Sequence, residues 1–135
     1  MHHRLGAVNH IGIAVRNLEE AKKLFSEVLG LPCIEERTVP ERGLRIAFLS
    51  SGNTTVELLE GIGPESTVSK FIEQRGPGIH HLCFEVDGIE RVMKEIAEDG
   101  VRLIDEKPRS GADGKLVAFA HPKSTLGVLI ELIEK

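Results

Sequence analysis

The chain has 135 residues, 41% of them hydrophobic and 28% charged, enough for one packed domain and too few for two of ordinary size. Its formal charge is −4, and no Lys/Arg cluster forms a basic stripe, which argues against a nucleic-acid partner. No apolar run approaches the roughly 18–20 residues that would span a bilayer, and MHHRLGAVNH lacks the apolar stretch of a secretory signal, so no membrane partner and a cytoplasmic location are expected.

Taken in chain order, residues 8–15 read as a strand. Asn17 is a candidate helix N-cap with Glu20 three residues on and Gly30 as the stop. Leu18, Ala21, Leu24, Phe25 and Val28 recur at helical spacing and predict one apolar face. Residues 33–39 form a strand, 40–43 a turn, and 44–50 and 54–60 two further strands. A short helix is expected over 67–75, ended by Gly76–Pro77–Gly78. Then come a strand at 79–86, a helix at 88–98 capped by Asp87 and stopped at Gly100, and strands near 101–106, 115–121 and 127–134. Cys33 and Cys83 have no CxxC spacing and are expected as buried free thiols.

The chain is written twice. HIGIAVRNLEEAKKLFSEVLG begins at His10 and HLCFEVDGIERVMKEIAEDG begins at His81, and the 71-residue offset also aligns Val15 with Val86, Glu19 with Glu90, and Lys23 with Lys94. TVELLE around Glu57 corresponds to LIELIE around Glu131 at an offset of 74, which implies a slightly longer loop in the second copy. Internal repetition at a fixed offset indicates a duplicated module. The expected organisation is a single domain, 1–135, with module one at about 6–62, a connecting helix at 66–76 and module two at about 78–134.

Strand side chains alternate faces. His10, Gly12 and Ala14 share one face of their strand, opposite Ile11, Ile13 and Val15. His81, Cys83 and Glu85 share the corresponding face of theirs. A glutamate within VELL or LIEL is costly to bury alone. Two such glutamates and two such histidines, paired by the repeat, point to one metal held by His10, Glu57, His81 and Glu131. Two imidazoles and two carboxylates suit Co, Ni, Mn, Fe or Zn better than Ca or Mg. His80 should leave by the other face of its strand with a structural role, and His2 and His3 are assigned none.

Duplicated modules with a His on the first strand and a Glu on the last resemble the vicinal-oxygen-chelate (glyoxalase-like) superfamily over residues 6–134. GIHHLCFEVD and HPKSTLGVLIEL, with NHIGIAVRNLEEA and SGADGK, resemble the methylmalonyl-CoA epimerase family within it. The resemblance implies an α+β fold of two tandem βαβββ modules forming an open, barrel-like mixed sheet around one divalent metal, often cobalt, in a homodimer. It carries over His10, His81 and Glu131 as ligands, with Glu57 at a position that is also a ligand in relatives.

The activity implied is epimerisation at C2 of methylmalonyl-CoA through a metal-stabilised enolate, with an acyl-CoA as the small-molecule partner. Glu131 is the first candidate acid/base and Glu57 the second. Some relatives place a catalytic glutamate where this chain has Ile46, so Glu41 is a further candidate. Arg42, Arg45, Lys115, His121 and Lys123 are candidate substrate contacts. The alternatives are a glyoxalase I-type enzyme acting on a hemithioacetal, which shares the ligand set, and a non-catalytic small-molecule-binding protein, which typically loses ligands.

Overall fold

The computed structural model describes residues 4–135 other than Ala112; His2 and His3 lie outside the described residues. The chain divides into two compact units, one of His10–His80 and one of His81–Lys135 with the described residues before His10. Among the described residues no helix is long and apolar enough to cross a membrane.

The first unit is built on β1 (Val8–Ala14), α1 (Leu18–Lys22), β2 (Cys33–Val39), β3 (Leu44–Ser50), β4 (Thr55–Gly61) and α2 (Thr67–Arg75). Its strands are ordered β2-β3-β4-β1. β1 and β4 run parallel, while the β2–β3 and β3–β4 pairs are antiparallel. One sheet face is covered by α1, where Val15, Leu18, Ala47, Leu49 and Leu58 form a buried cluster. Full burial of side chains such as Leu18 and Leu58 stabilises by roughly 1.5–3 kcal/mol each. The other face is partly covered by α2, through a cluster of Ala14, Ile46, Leu59 and Val68 with Phe71 and Ile72 beside it. This helix starts at Ser66, whose hydroxyl accepts from the Val68 and Ser69 amides. It lies so close to β4 that a Cβ on Gly61 would meet the Ser69 amide nitrogen at 2.7 Å. Only glycine fits there.

The second unit repeats the plan with β5 (Gly78–Val86), α3 (Ile89–Glu98), β6 (Arg109–Ser110), β7 (Leu116–Ala120) and β8 (Ile130–Glu134). Its strand order is β5-β8-β7-β6, again with one parallel pair, β5–β8, beside antiparallel ones. α3 packs Ile89, Val92 and Met93 on Val86, Ala118 and Leu132. The βαβββ order read from the repeat is thus present in each unit.

Four local expectations are corrected. The first helix is α-helical only to Lys22 and continues as a π-helical segment, Lys23–Val28. Its wider turn moves later residues off the 3.6-residue stripe, so Ala21 and Phe25 pack inward while Leu24 and Val28 are 48% and 69% exposed. The strand near 101–106 is reduced to a single bridge, Leu103 with Ala120. There the Asp105 carboxylate takes the Phe119 amide at 2.8 Å and replaces a ladder bond. Asp87 is not the cap of α3: the N-cap is Gly88, at φ 80°, with no side chain to offer. Finally, Cys83 is buried as expected but Cys33, on β2, is exposed; neither forms a disulfide among the described residues.

Candidate metal and acid–base site

In the parallel β1–β4 ladder His10 pairs with Thr55 and Gly12 pairs with Glu57. Paired residues share a face, so His10 and Glu57 project together, one diagonal step apart. The His10 Nδ1 lies 3.2 Å from Glu57 Oε2. The second unit repeats this register: Leu82 pairs with Ile130 and Cys83 with Glu131, which puts Glu131 one diagonal step from His81. His81 Nε2 lies 3.2 Å from Glu131 Oε1. The two imidazoles meet their carboxylates through different ring nitrogens, so the repeat holds at the level of position and not of ring orientation.

Burial gives these pairs their significance. His10, His81 and Glu131 are only 7%, 7% and 8% exposed, and the Glu57 side chain is 15% exposed. A carboxylate removed from water needs a cation, a metal or several donors. The neighbouring imidazole of each pair contributes to that compensation, and imidazole beside carboxylate is also a metal-ligating combination. His10, His81 and Glu131 are buried residues of metal-ligating types, and Glu57 lies beside His10 within its own unit. Imidazole and carboxylate donors of this kind suit a borderline divalent ion.

Each glutamate-bearing strand has an aromatic partner in the neighbouring strand of its ladder. Phe48 stands directly opposite Glu57 in the β3–β4 ladder, and Phe119 opposite Glu131 in the β7–β8 ladder. Phe119 also meets the His81 ring edge-on, with centroids 6.1 Å apart. Above them lie two cations: Arg37 over Phe48 at 4.8 Å, and Arg109 over Phe119 at 5.9 Å. Phe48 and Phe119 are 71 residues apart, the same offset as the two histidines, and that offset is the signal that could have found them.

The remaining candidates are scattered. Ile46 pairs with Leu59 on the Glu57 face and is buried in the α2 cluster, so an apolar side chain suits that place. Arg45 projects from the α1 side, where it binds Glu60 at 2.9 Å and approaches Glu19 at 3.5 Å. Glu41 and Arg42 are exposed on the helical turn Pro40–Arg42. Lys115 and Lys123 are exposed. His121 Nδ1 accepts from the Lys123 amide at 3.1 Å and so caps the turn Pro122–Ser124. His80 lies edge-on to Phe71 with ring centroids 4.9 Å apart.

A family model described as the Glyoxalase/Bleomycin resistance protein/Dioxygenase superfamily matches residues 9–119. The mitochondrial methylmalonyl-CoA epimerase of Dictyostelium discoideum is 42% identical over 132 residues, 97% of this chain and 80% of that protein. The crystal structure of methylmalonyl-CoA epimerase from Mycobacterium tuberculosis is similar with a TM-score of 0.89 and 32% identity, over 99% of this chain and 91% of that one. A Streptomyces coelicolor methylmalonyl-CoA epimerase variant in complex with 2-nitronate-propionyl-CoA has a TM-score of 0.86 and 31% identity, covering 97% of this chain and 98% of its own.

Proposed function

This chain belongs to the methylmalonyl-CoA epimerase family of the glyoxalase superfamily, and from that premise we propose that it inverts C2 of methylmalonyl-CoA with the help of one divalent ion. The observation that carries the reading is the repetition of one buried His–Glu pair at one ladder register in each unit. His10, Glu57, His81 and Glu131 would hold the ion. Cobalt, a homodimer and a cytoplasmic location belong to the same reading.

The C2 hydrogen lies between a thioester and a carboxylate and is acidified by both. Inversion needs one group to take that proton and another to return a proton from the opposite face. The Glu131 carboxylate is the group proposed to take it, and Glu57 the one proposed to deliver. A bound divalent ion would supply Lewis acidity toward the thioester oxygen, where negative charge develops. Phe48 and Phe119 present apolar surface opposite the two glutamates and so help to exclude water.

The test is direct. A single epimer of methylmalonyl-CoA is incubated with Co(II)-loaded protein, and methylglyoxal with glutathione is run beside it. Appearance of the other C2 epimer in the first and no turnover in the second is the expected result. Turnover of the hemithioacetal alone would replace this reading with a glyoxalase I-type activity.

A further inference from the structure

Each of the two site glutamates has a companion three residues further along its strand. Glu60 follows Glu57 on β4 and Glu134 follows Glu131 on β8, and Glu60 and Glu134 keep the 74-residue offset of the pair they follow. An odd spacing on a strand points to the opposite face, the one covered by the helix of each unit. Glu134 accepts from the Ile89 amide at 2.8 Å and from the Gly88 amide at 2.9 Å. These are open donors at the start of α3, whose own N-cap has no side chain. Glu60 approaches the Leu18 amide at the start of α1, at 3.4 Å, and is braced by Arg45 at 2.9 Å. Each unit therefore fastens the end of its carboxylate strand to the start of its helix. Local capping does not explain the arrangement. The contacts bridge 42 and 45 residues, and α1 already has Asn17 as its cap.

We propose that Glu60 and Glu134 are positioning residues that lock the register of β4 and β8 and so aim Glu57 and Glu131 at the metal. A strand side chain changes face with a slip of one residue. An anchor three residues away, roughly 10 Å along the strand, forbids that slip at the point where it would remove a ligand. The inference deepens the metal reading above and rests on it. It also assigns Arg45 the task of bracing Glu60.

The experiment compares Co(II) affinity and the visible Co(II) spectrum in the parent, Glu134→Ala, Glu134→Gln, Glu60→Ala and Asn17→Ala. Outer-shell partners of metal ligands commonly change affinity about 10–100-fold. Glu134→Ala and Glu60→Ala should bind Co(II) at least about tenfold more weakly, with an altered spectrum. Glu134→Gln keeps an accepting oxygen and should recover most of the affinity. Asn17→Ala loosens the start of α1 on which Glu60 docks while leaving the Glu60 and Glu134 carboxylates in place, so its thermal midpoint should fall while its loss of Co(II) affinity stays smaller than that of Glu60→Ala. Parental affinity and spectrum in both Glu134→Ala and Glu60→Ala would overturn the positioning role while leaving the metal site intact. A parent that takes up no Co(II) would overturn the metal reading and the positioning role with it.

Discussion

Cys83 and Glu131 stand opposite each other in the parallel pairing of β5 with β8, and Cys83 is fully buried. The corresponding place in the first unit, opposite Glu57, is taken by Gly12. Both units therefore keep a small residue beside the site glutamate. Cys83→Leu should crowd Glu131 and weaken Co(II) binding, at a stability cost of about 1–3 kcal/mol for overpacking. Cys83→Ala should leave Co(II) affinity unchanged. Calorimetric titration checks both, and equal affinity in the Leu and Ala variants would mean that Glu131 does not depend on that space.

If His10 and His81 are ligands, metal analysis of reconstituted protein should give about one equivalent per chain. The content should fall sharply in His10→Ala and in His81→Ala. His80→Ala is the control, because that ring packs against Phe71, and it should retain the metal. Full metal content in both ligand variants would move the site elsewhere.

The helix starts make a contrasting pair. Asn17 accepts from the Glu20 amide at 2.9 Å, so Asn17→Ala should cost about 0.5–2 kcal/mol. Asp87 is exposed and caps nothing, so Asp87→Ala should change stability by no more than about 0.5 kcal/mol. Urea denaturation distinguishes them, and equal losses would restore Asp87 as a cap.

Hydrogen bonds from the Ile89 and Gly88 amides hold the Glu134 carboxyl below its ordinary value of 4.5. A group whose pKa is lowered by folding adds stability at pH above its unfolded value and loses that contribution as pH falls through the folded one. Metal-free parent should therefore lose stability more steeply than Glu134→Gln as the pH is lowered from about 6 to about 3. Parallel curves in denaturant titrations would show that Glu134 gains nothing from the helix amides in solution.

Much of this was legible in the sequence because duplication wrote each informative residue twice. His10 with His81 and Glu57 with Glu131 could be paired by offset alone, and strand alternation put each on the correct face. What escaped were features that depend on contacts distant in sequence or on backbone geometry. The cap of α3 comes from Glu134, 45 residues away, so the nearby Asp87 was the misleading choice. The π-helical segment at Lys23–Val28 breaks the period on which the apolar face was predicted. Asp105 interrupts a strand with its side chain, which no propensity for residues 101–106 encodes. Phe48 and Phe119 were legible in principle through their shared offset, but only the ladders put them opposite the glutamates.

The central claim is that this chain moves the C2 proton of methylmalonyl-CoA through Glu131 with a divalent ion bound. It is tested most directly by following deuterium entry at C2 in deuterated water, for Co(II)-loaded parent, metal-free parent and Co(II)-loaded Glu131→Gln. The glutamine keeps an oxygen for the metal and cannot take up the proton. Rapid exchange is expected in the loaded parent alone, with inversion in Glu131→Gln slower by about 10²–10⁴-fold at unchanged metal content. Exchange and inversion at parental rates in metal-loaded Glu131→Gln would contradict the account.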